Sequence, residues 1–84
     1  MRSRKTLFCV RCDGSMENVN TAGNQPMGGL AFVSHGHYGS TVFDPMNGDY
    51  LELNICDACL ESAAEVGDIV HHTPSGKSKL WRGK

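Results

Sequence analysis

Four cysteines in two identically spaced pairs constrain this chain more than any other feature. The pairs are Cys9-Val-Arg-Cys12 and Cys56-Asp-Ala-Cys59, and the 84-residue chain contains no other cysteine. Two sulfurs separated by two residues can converge on one ion, and two such pairs complete the tetrahedral four-sulfur shell that zinc accepts. The spacing therefore predicts one structural Zn²⁺ per chain. Because four thiolates fill the shell, no position remains for water or substrate, and we expect the ion to stabilise the fold.

Two alternative chemistries exist for the same cysteines. Disulfides would require an oxidising compartment, but the N-terminal residues contain no apolar stretch long enough for a secretory signal. A redox C-x-x-C pair needs only one such motif and normally lies in a longer βαβ context. No apolar run approaches the ~20 residues of a membrane span, so we expect a soluble, cytoplasmic protein with no membrane partner.

The length of the chain limits how far a core alone can stabilise it. Eighty-four residues of which 39% are hydrophobic suit one domain. A chain of this size buries only about 60% of its unfolded surface, so we expect it to depend on the metal. We place the zinc-binding domain at residues 1–72 and expect residues 73–84, which are basic and contain Pro and Gly, to form a flexible tail.

The residues around the cysteine pairs predict short strands and one helix. A strand at residues 6–8 leads into the first pair, and a second candidate lies at residues 30–34. Residues 41–43 and 50–55 flank Pro45 and Asn47-Gly48, which predicts a β-hairpin. After the second pair, helix formers with apolar residues at helical spacing predict a helix over 57–66, with Gly67 as its C-cap.

The order of a cysteine knuckle, a β-hairpin and a cysteine pair at the start of a helix resembles the treble-clef arrangement of zinc fingers. The resemblance covers roughly residues 7–67 and implies a small α+β domain in which Cys56 and Cys59 are the hairpin-end and helix-start ligands. The alternative architecture is a zinc ribbon, which lacks the helix. The chain is also similar to small zinc-binding open reading frames of bacteria and their phages, a resemblance that implies no particular activity.

The histidines are candidates for catalytic or contact residues. Treble clefs also include nucleases of the HNH kind, which need a histidine base on a hairpin and a second metal ligand on the helix. The predicted helix carries neither His nor Asn, so we expect no enzymatic activity. The turn bearing His35, His37 and Tyr38 is a candidate contact loop. In the alternative interpretation, one of these histidines donates a hydrogen bond to a cysteine sulfur.

The distribution of charge gives the strongest indication of a partner. All eight basic residues lie at the two ends, and all nine acids lie between them, in residues 13–68. The acidic body predicts a protein partner with a basic surface, contacted through Asp44, Asp49, Tyr50 and Glu52. The alternative is nucleic acid held by the basic ends, through Arg2, Arg4, Lys5, Lys77, Lys79, Trp81 and Arg82. A third interpretation is that the basic ends only increase solubility.

The function predicted from the sequence is that of a non-enzymatic, zinc-stabilised interaction module. Its preferred role is that of an adaptor or inhibitor of a nucleic-acid-handling machine, with a protein as the direct partner. The alternative is a nucleic-acid-binding zinc finger. No small-molecule substrate is expected.

Overall fold

A computed structural model describes residues 4–83 as a small α+β fold of six short strands and one helix. The strands form three separate two-stranded antiparallel sheets, β1 with β2, β3 with β4 and β5 with β6. In chain order the elements are β1 (Thr6–Phe8), β2 (Ser15–Glu17), β3 (Gly29–Ser34), β4 (Leu51–Cys56), α1 (Asp57–Val66), β5 (Val70–His72) and β6 (Ser78–Leu80). Within residues 4–83, no helix is long and apolar enough to cross a bilayer.

The first hairpin holds the best-buried part of the core. Leu7 of β1 lies directly opposite Met16 of β2, and both side chains are buried. The loop that follows is fixed by Asn18, which is 4% exposed. Its amide group donates to Arg4 O and Gly23 O, and its Oδ1 accepts from Gln25 N and Asn20 N. A single polar side chain therefore supplies the hydrogen bonds that hold the backbone of this loop.

The central hairpin pairs β3 with β4 over six residues, from Gly29 opposite Cys56 to Ser34 opposite Leu51. The sequence had predicted that residues 41–43 would pair with β4, and this was wrong. The hydroxyl of Ser40 accepts hydrogen bonds from Val42 N and Phe43 N, so these amides are used within a local turn. Pro45, which follows, has no backbone N–H to donate. Strand β4 therefore pairs with β3, across a long loop.

The predicted helix is confirmed, with the predicted boundaries. Helix α1 begins after Cys56, whose extended backbone (φ −74°, ψ 157°) places it at the N-cap, and ends at Gly67, whose N–H donates to Ala63 O. Ala64 is fully buried, and it marks the helix face that packs on the central hairpin. The helix therefore begins where β4 ends, which makes Cys56 part of both elements.

The last hairpin spans the predicted boundary at residue 72, with β5 before it and β6 in the segment predicted to be a tail. Strand β5 pairs with β6 in the register Val70 opposite Leu80, and Thr73 N donates to Lys77 O across the turn. The guanidinium of Arg82 then donates to Ala64 O and Gly67 O at the end of α1. Within residues 73–83, the regular secondary structure is β6. The sequence did not predict β6, because it shows no apolar alternation over more than three residues.

Candidate metal centre

The first cysteine pair forms a tight turn between β1 and β2. Cys9 N donates to Gly14 O, and Asp13 N donates to Cys9 O, both at 2.9 Å. Asp13 adopts the left-handed conformation (φ 62°) that closes such a turn, and Asp tolerates it better than most residues. A β-carbon at position 14 would lie 3.2 Å from the Cys12 sulfur, so Gly14 gives that sulfur room. The turn thereby directs both sulfurs to one side.

The second pair is positioned by the junction of strand and helix. Cys56 is the last residue of β4 and the N-cap of α1, and Cys59 is three residues further, within the first helical turn. The β4–α1 junction therefore gives the two sulfurs a fixed direction.

The four sulfurs lie close enough together to hold one metal ion. The ligand atoms of Cys9, Cys12, Cys56 and Cys59 all lie within 4.8 Å of one another, and they form the one such cluster of His, Cys, Asp or Glu found among residues 4–83. Four sulfurs at the zinc–sulfur distance of about 2.3 Å from one ion would be about 3.8 Å apart. The Cys12 and Cys56 sulfurs are 3.8 Å apart. All four cysteines are free rather than disulfide-bonded.

Backbone amides prepare the cluster for thiolates. Cys56 N and Arg11 N donate to the Cys9 sulfur, and Gly14 N donates to the Cys12 sulfur, each at 3.4 Å. Donation from the Cys56 amide, and then from that of Cys12, lowers the pKa of Cys9 from 9.0 to about 6. Cys9 is therefore poised to ionise at neutral pH.

Cys59 shows the opposite effect, which reflects crowding of the sulfurs. Its hydrogen bond with the Cys56 side chain, followed by burial, raises the pKa of Cys59 to about 12. Four neighbouring sulfurs cannot all carry a negative charge unless a cation lies between them. The donor set, the spacing and the amide hydrogen bonds together fit a four-sulfur metal site of the type that zinc occupies. Such an ion would supply structural cross-linking, with no open position for a reactant.

The other predicted site residues lie away from this cluster. His35 stacks on Tyr50 with ring centroids 5.3 Å apart. His37 Nδ1 lies 3.0 Å from Tyr38 O, within its own turn. The hydrogen bonds that the described residues donate to the Cys9 and Cys12 sulfurs come from backbone amides, as given above, and not from either histidine. These residues belong to the long loop between β3 and β4.

The predicted acidic group is split between that loop and β4. Asp44 and Asp49 are exposed in the loop, next to Tyr50. Glu52 faces the first hairpin instead, where it forms an ion pair of 3.0 Å with Arg4 and accepts a hydrogen bond from the Asn24 side chain. The charge of Glu52 is therefore partly compensated within the fold, whereas no ion pair within residues 4–83 involves Asp44 or Asp49.

Two of the predicted phosphate-binding residues make contacts within the fold. Arg4 pairs with Glu52, and Arg82 donates to the end of α1. Trp81 lines an apolar groove with Leu30 and Leu60. Lys77 and Lys79 lie on the β5–β6 hairpin. Lys5 is exposed at the start of the first hairpin, and Arg2 lies outside the described residues.

Sequence reasoning missed three residues that position the site. Asn18 organises the loop behind the first hairpin, and Asn54 is 8% exposed, with its backbone oxygen accepting from Val10 N at 2.8 Å. Arg11, inside the first knuckle, donates to Cys59 O at 3.2 Å and so joins the two cysteine pairs. Single asparagines in a loop look alike in sequence, and only the fold distinguishes a buried Asn18 from an exposed Asn20.

Comparison of this chain with protein-family models, curated proteins and solved structures gives no match. Its function is therefore inferred from its own residues.

Proposed function

We propose that this protein is a zinc-stabilised, treble-clef-like module that binds a protein partner through the loop between β3 and β4. Zinc suits the four-cysteine cluster because it accepts tetrahedral sulfur ligands without a geometric preference of its own. The helix that begins at Cys56 favours a treble clef over a zinc ribbon. The proposal extends the candidate contact loop from the turn of His35, His37 and Tyr38 to the whole loop between β3 and β4. We call this loop, residues 35–50, the contact loop.

The observation that carries the proposal is the exposure of large apolar side chains in the contact loop. Tyr38, Val42 and Met46 are 97%, 90% and 89% exposed, respectively. Exposure of these apolar side chains to water is unfavourable, and their burial against a partner's surface would lower the free energy. Aromatic residues and methionines are also the side chains enriched at protein–protein interfaces. Loops of this length in compact domains are commonly functional.

The contact loop is held in a defined shape by local contacts. Its two ends are joined by the stacking of His35 on Tyr50. Gly36 has a positive φ of 79°, and a β-carbon there would lie 2.5 Å from Phe43 O, so the loop folds back closely on itself. The Asn47 side chain accepts from Asp49 N. A preformed loop loses little conformational entropy on binding, which favours affinity.

Charge indicates what kind of protein fits the loop. The contact loop contains Asp44 and Asp49 and has no Lys or Arg. An apolar contact rimmed by two carboxylates suits a partner whose surface combines an apolar patch with Lys or Arg side chains. The nucleic-acid alternative is less well supported, because Arg4 and Arg82 already make contacts inside the fold. Among the residues that the structure describes, its remaining basis is Lys5, Lys77, Lys79 and Trp81.

The proposal is tested by a photo-crosslinking residue placed at position 42 of the zinc-loaded chain, in nuclease-treated extract. Position 66 is the matched control, because Val66 is 86% exposed but lies at the end of α1. We expect one protein to be crosslinked from position 42 and not from position 66. Replacement of Asp44 and Asp49 by Asn should weaken its capture, and added salt should do the same. Identical products from both positions would contradict the proposal. Binding of an oligonucleotide that depends on Lys77 and Lys79 would favour the alternative.

A further inference from the structure

The outer edge of β3 has the geometry of an unpaired strand. Asp57 N donates to Gly28 O at 2.8 Å, one step beyond the pair Gly29 and Cys56. Because hydrogen-bonded and non-hydrogen-bonded pairs alternate in an antiparallel ladder, Leu30, Phe32 and Ser34 bond to β4. The N–H and C=O groups of Gly29, Ala31 and Val33 therefore point away from β4. No backbone hydrogen bond within residues 4–83 satisfies them.

The outer edge of β4, by contrast, is covered by the first knuckle. Asn54 O accepts from Val10 N, and Cys56 N donates to the Cys9 sulfur. Both groups point away from β3, because Asn54 lies opposite Ala31 and Cys56 lies opposite Gly29. One side of this sheet is therefore closed by the metal site, and the other side remains open.

From Leu30 onward, β3 lacks the usual protections against strand pairing, whereas its first residue, Gly29, lies against Met16 of β2. Its sequence, Gly-Leu-Ala-Phe-Val-Ser, has no charge and no proline, and every residue after Gly29 is exposed. Natural edge strands are generally shielded by lysine, proline, a bulge or a covering element. An exposed, uncharged six-residue edge is thus a template for another strand.

The chain has more surface than a folded monomer of its size. Its accessible surface is 6622 Å² for 9.1 kDa, whereas about 4,900 Å² is typical of a monomer of this mass. The radius of gyration is 14.5 Å, against about 12 Å for a compact chain of this length. The excess of about 1,700 Å² exceeds the roughly 800 Å² that each partner loses in a standard interface.

We propose that β3 pairs with β3 of a second copy of the chain, antiparallel about a two-fold axis at Ala31. In this register Ala31 faces Ala31 of the second copy, and Gly29 faces Val33, so all three outward-pointing residues form hydrogen-bonded pairs. Leu30 then lies opposite Phe32 of the second copy, on one apolar face of a four-stranded sheet. Opposed apolar side chains in non-hydrogen-bonded pairs are close enough to stabilise the pairing.

A second copy suits this edge better than a basic partner does. The residues of β3 carry no charge, and the carboxylates that line the groove beside Leu30, Asp57 and Glu61, belong to α1, so two copies can pair through β3 without placing like charges on the paired strands. The two-fold pairing uses the same strand on both sides, as closed dimers require. This inference concerns a surface other than the contact loop, and neither proposal depends on the other.

The test is sedimentation equilibrium of the zinc-loaded full chain from about 1 to 200 μM, with Ala31→Pro and Val33→Lys as variants. Proline at position 31 removes an outward N–H without removing a bond to β4, a site where edge strands tolerate proline. We expect a mass of twice 9.1 kDa for the parent. Loss of the central hydrogen-bonded pair should weaken the dimer by about tenfold or more in Ala31→Pro. Lysine at position 33 should also weaken it, since edge lysines oppose pairing.

The control is Val66→Lys, which adds the same charge outside β3 and should leave the dimer unchanged. Filtered nuclear Overhauser contacts between Leu30 of a labelled copy and Phe32 of an unlabelled copy test the register directly. A monomer at every concentration would overturn the proposal, as would a dimer unaffected by both β3 variants. A monomer that pairs through β3 with a strand of another protein would also overturn it and assign the edge to that protein. Crosslinking from position 42 should be retained in Ala31→Pro, so failure of the dimer is distinguishable from failure of the contact loop.

Discussion

The two ends of the β3–β4 hairpin differ in how their polar groups are hydrogen-bonded and in how far their apolar side chains are buried. At the metal end, Cys56 joins strand, helix and knuckle, and backbone amides donate to the sulfurs. At the loop end, Tyr38, Val42 and Met46 are almost fully exposed, and contacts within the loop itself fix the backbone. We therefore expect the metal end to determine whether the chain folds. The loop end is free to vary in side chain, which is what a binding surface requires.

The largest effect is expected from removal of the metal. Structural zinc supplies about 10–16 kcal/mol to zinc-finger folding at neutral pH, more than a small core can replace. Chelation should therefore abolish the near-ultraviolet circular dichroism of the chain, and Cys56→Ser should do the same. Ala58→Ser is the matched control, because Ala58 is exposed in the same helical turn and is not a ligand. A metal-free chain that keeps its native dichroism would show that folding does not depend on the metal end.

Asn18→Ala should cause the next largest loss, in the loop behind the first hairpin. Its side chain makes four hydrogen bonds to backbone groups from a nearly buried position, and unsatisfied buried groups each cost about 1–3 kcal/mol. We expect urea denaturation to show a loss of about 2–4 kcal/mol in the free energy of unfolding. Asn20→Ala is the control, since the one side-chain bond made by Asn20 is to Ala22 N at an exposed site. Equal losses in the two variants would show that the Asn18 network contributes no stability.

A pair of glycine variants measures how tightly the contact loop is held. Gly36 and Gly48 both have positive φ, 79° and 93°, so alanine costs each roughly 1–2 kcal/mol of backbone strain. A β-carbon would approach Phe43 O to 2.5 Å at position 36 but meets nothing within 4 Å at position 48. Gly36→Ala should therefore lower the melting temperature more than Gly48→Ala does. Equal shifts would mean that the loop adjusts freely and is not preformed.

The smallest effect is expected from Tyr38→Ser. Substitutions at surface positions that make no specific contact usually change stability by less than about 0.5 kcal/mol. We expect its melting temperature and zinc content to match those of the parent, as measured by calorimetry and metal analysis. A clear destabilisation would show that Tyr38 packs against the fold, and would remove the main reason to regard the loop as a binding surface.

The sequence predicted the parts of the molecule that depend on local chemistry. The spacing of Cys9, Cys12, Cys56 and Cys59 predicted the cluster, and helical periodicity with Gly67 predicted the bounds of α1. Strand pairing was predicted less well, because two weak signals, Asn47-Gly48 and residues 41–43, suggested a tight hairpin. Side-chain oxygens of Ser40 and Asn47 take up those backbone amides instead.

Charge along the chain indicates a partner less directly, because distance along the chain does not determine distance in space. Arg4 and Glu52 are 48 residues apart yet form an ion pair, and Arg82 donates to the end of α1. A contribution of the basic ends to binding therefore stays a prediction. The exposed apolar side chains of the contact loop could not be predicted either, since only the fold shows that Val42 and Met46 are exposed.

X-ray absorption of the zinc-loaded chain in solution shows directly which atoms bind the metal. We expect one zinc per chain, with four sulfur neighbours at about 2.3 Å and no nitrogen or oxygen neighbour in the inner shell. A shell that contained a histidine nitrogen or a water oxygen in place of a sulfur, or a chain that bound no zinc and carried disulfides, would contradict it.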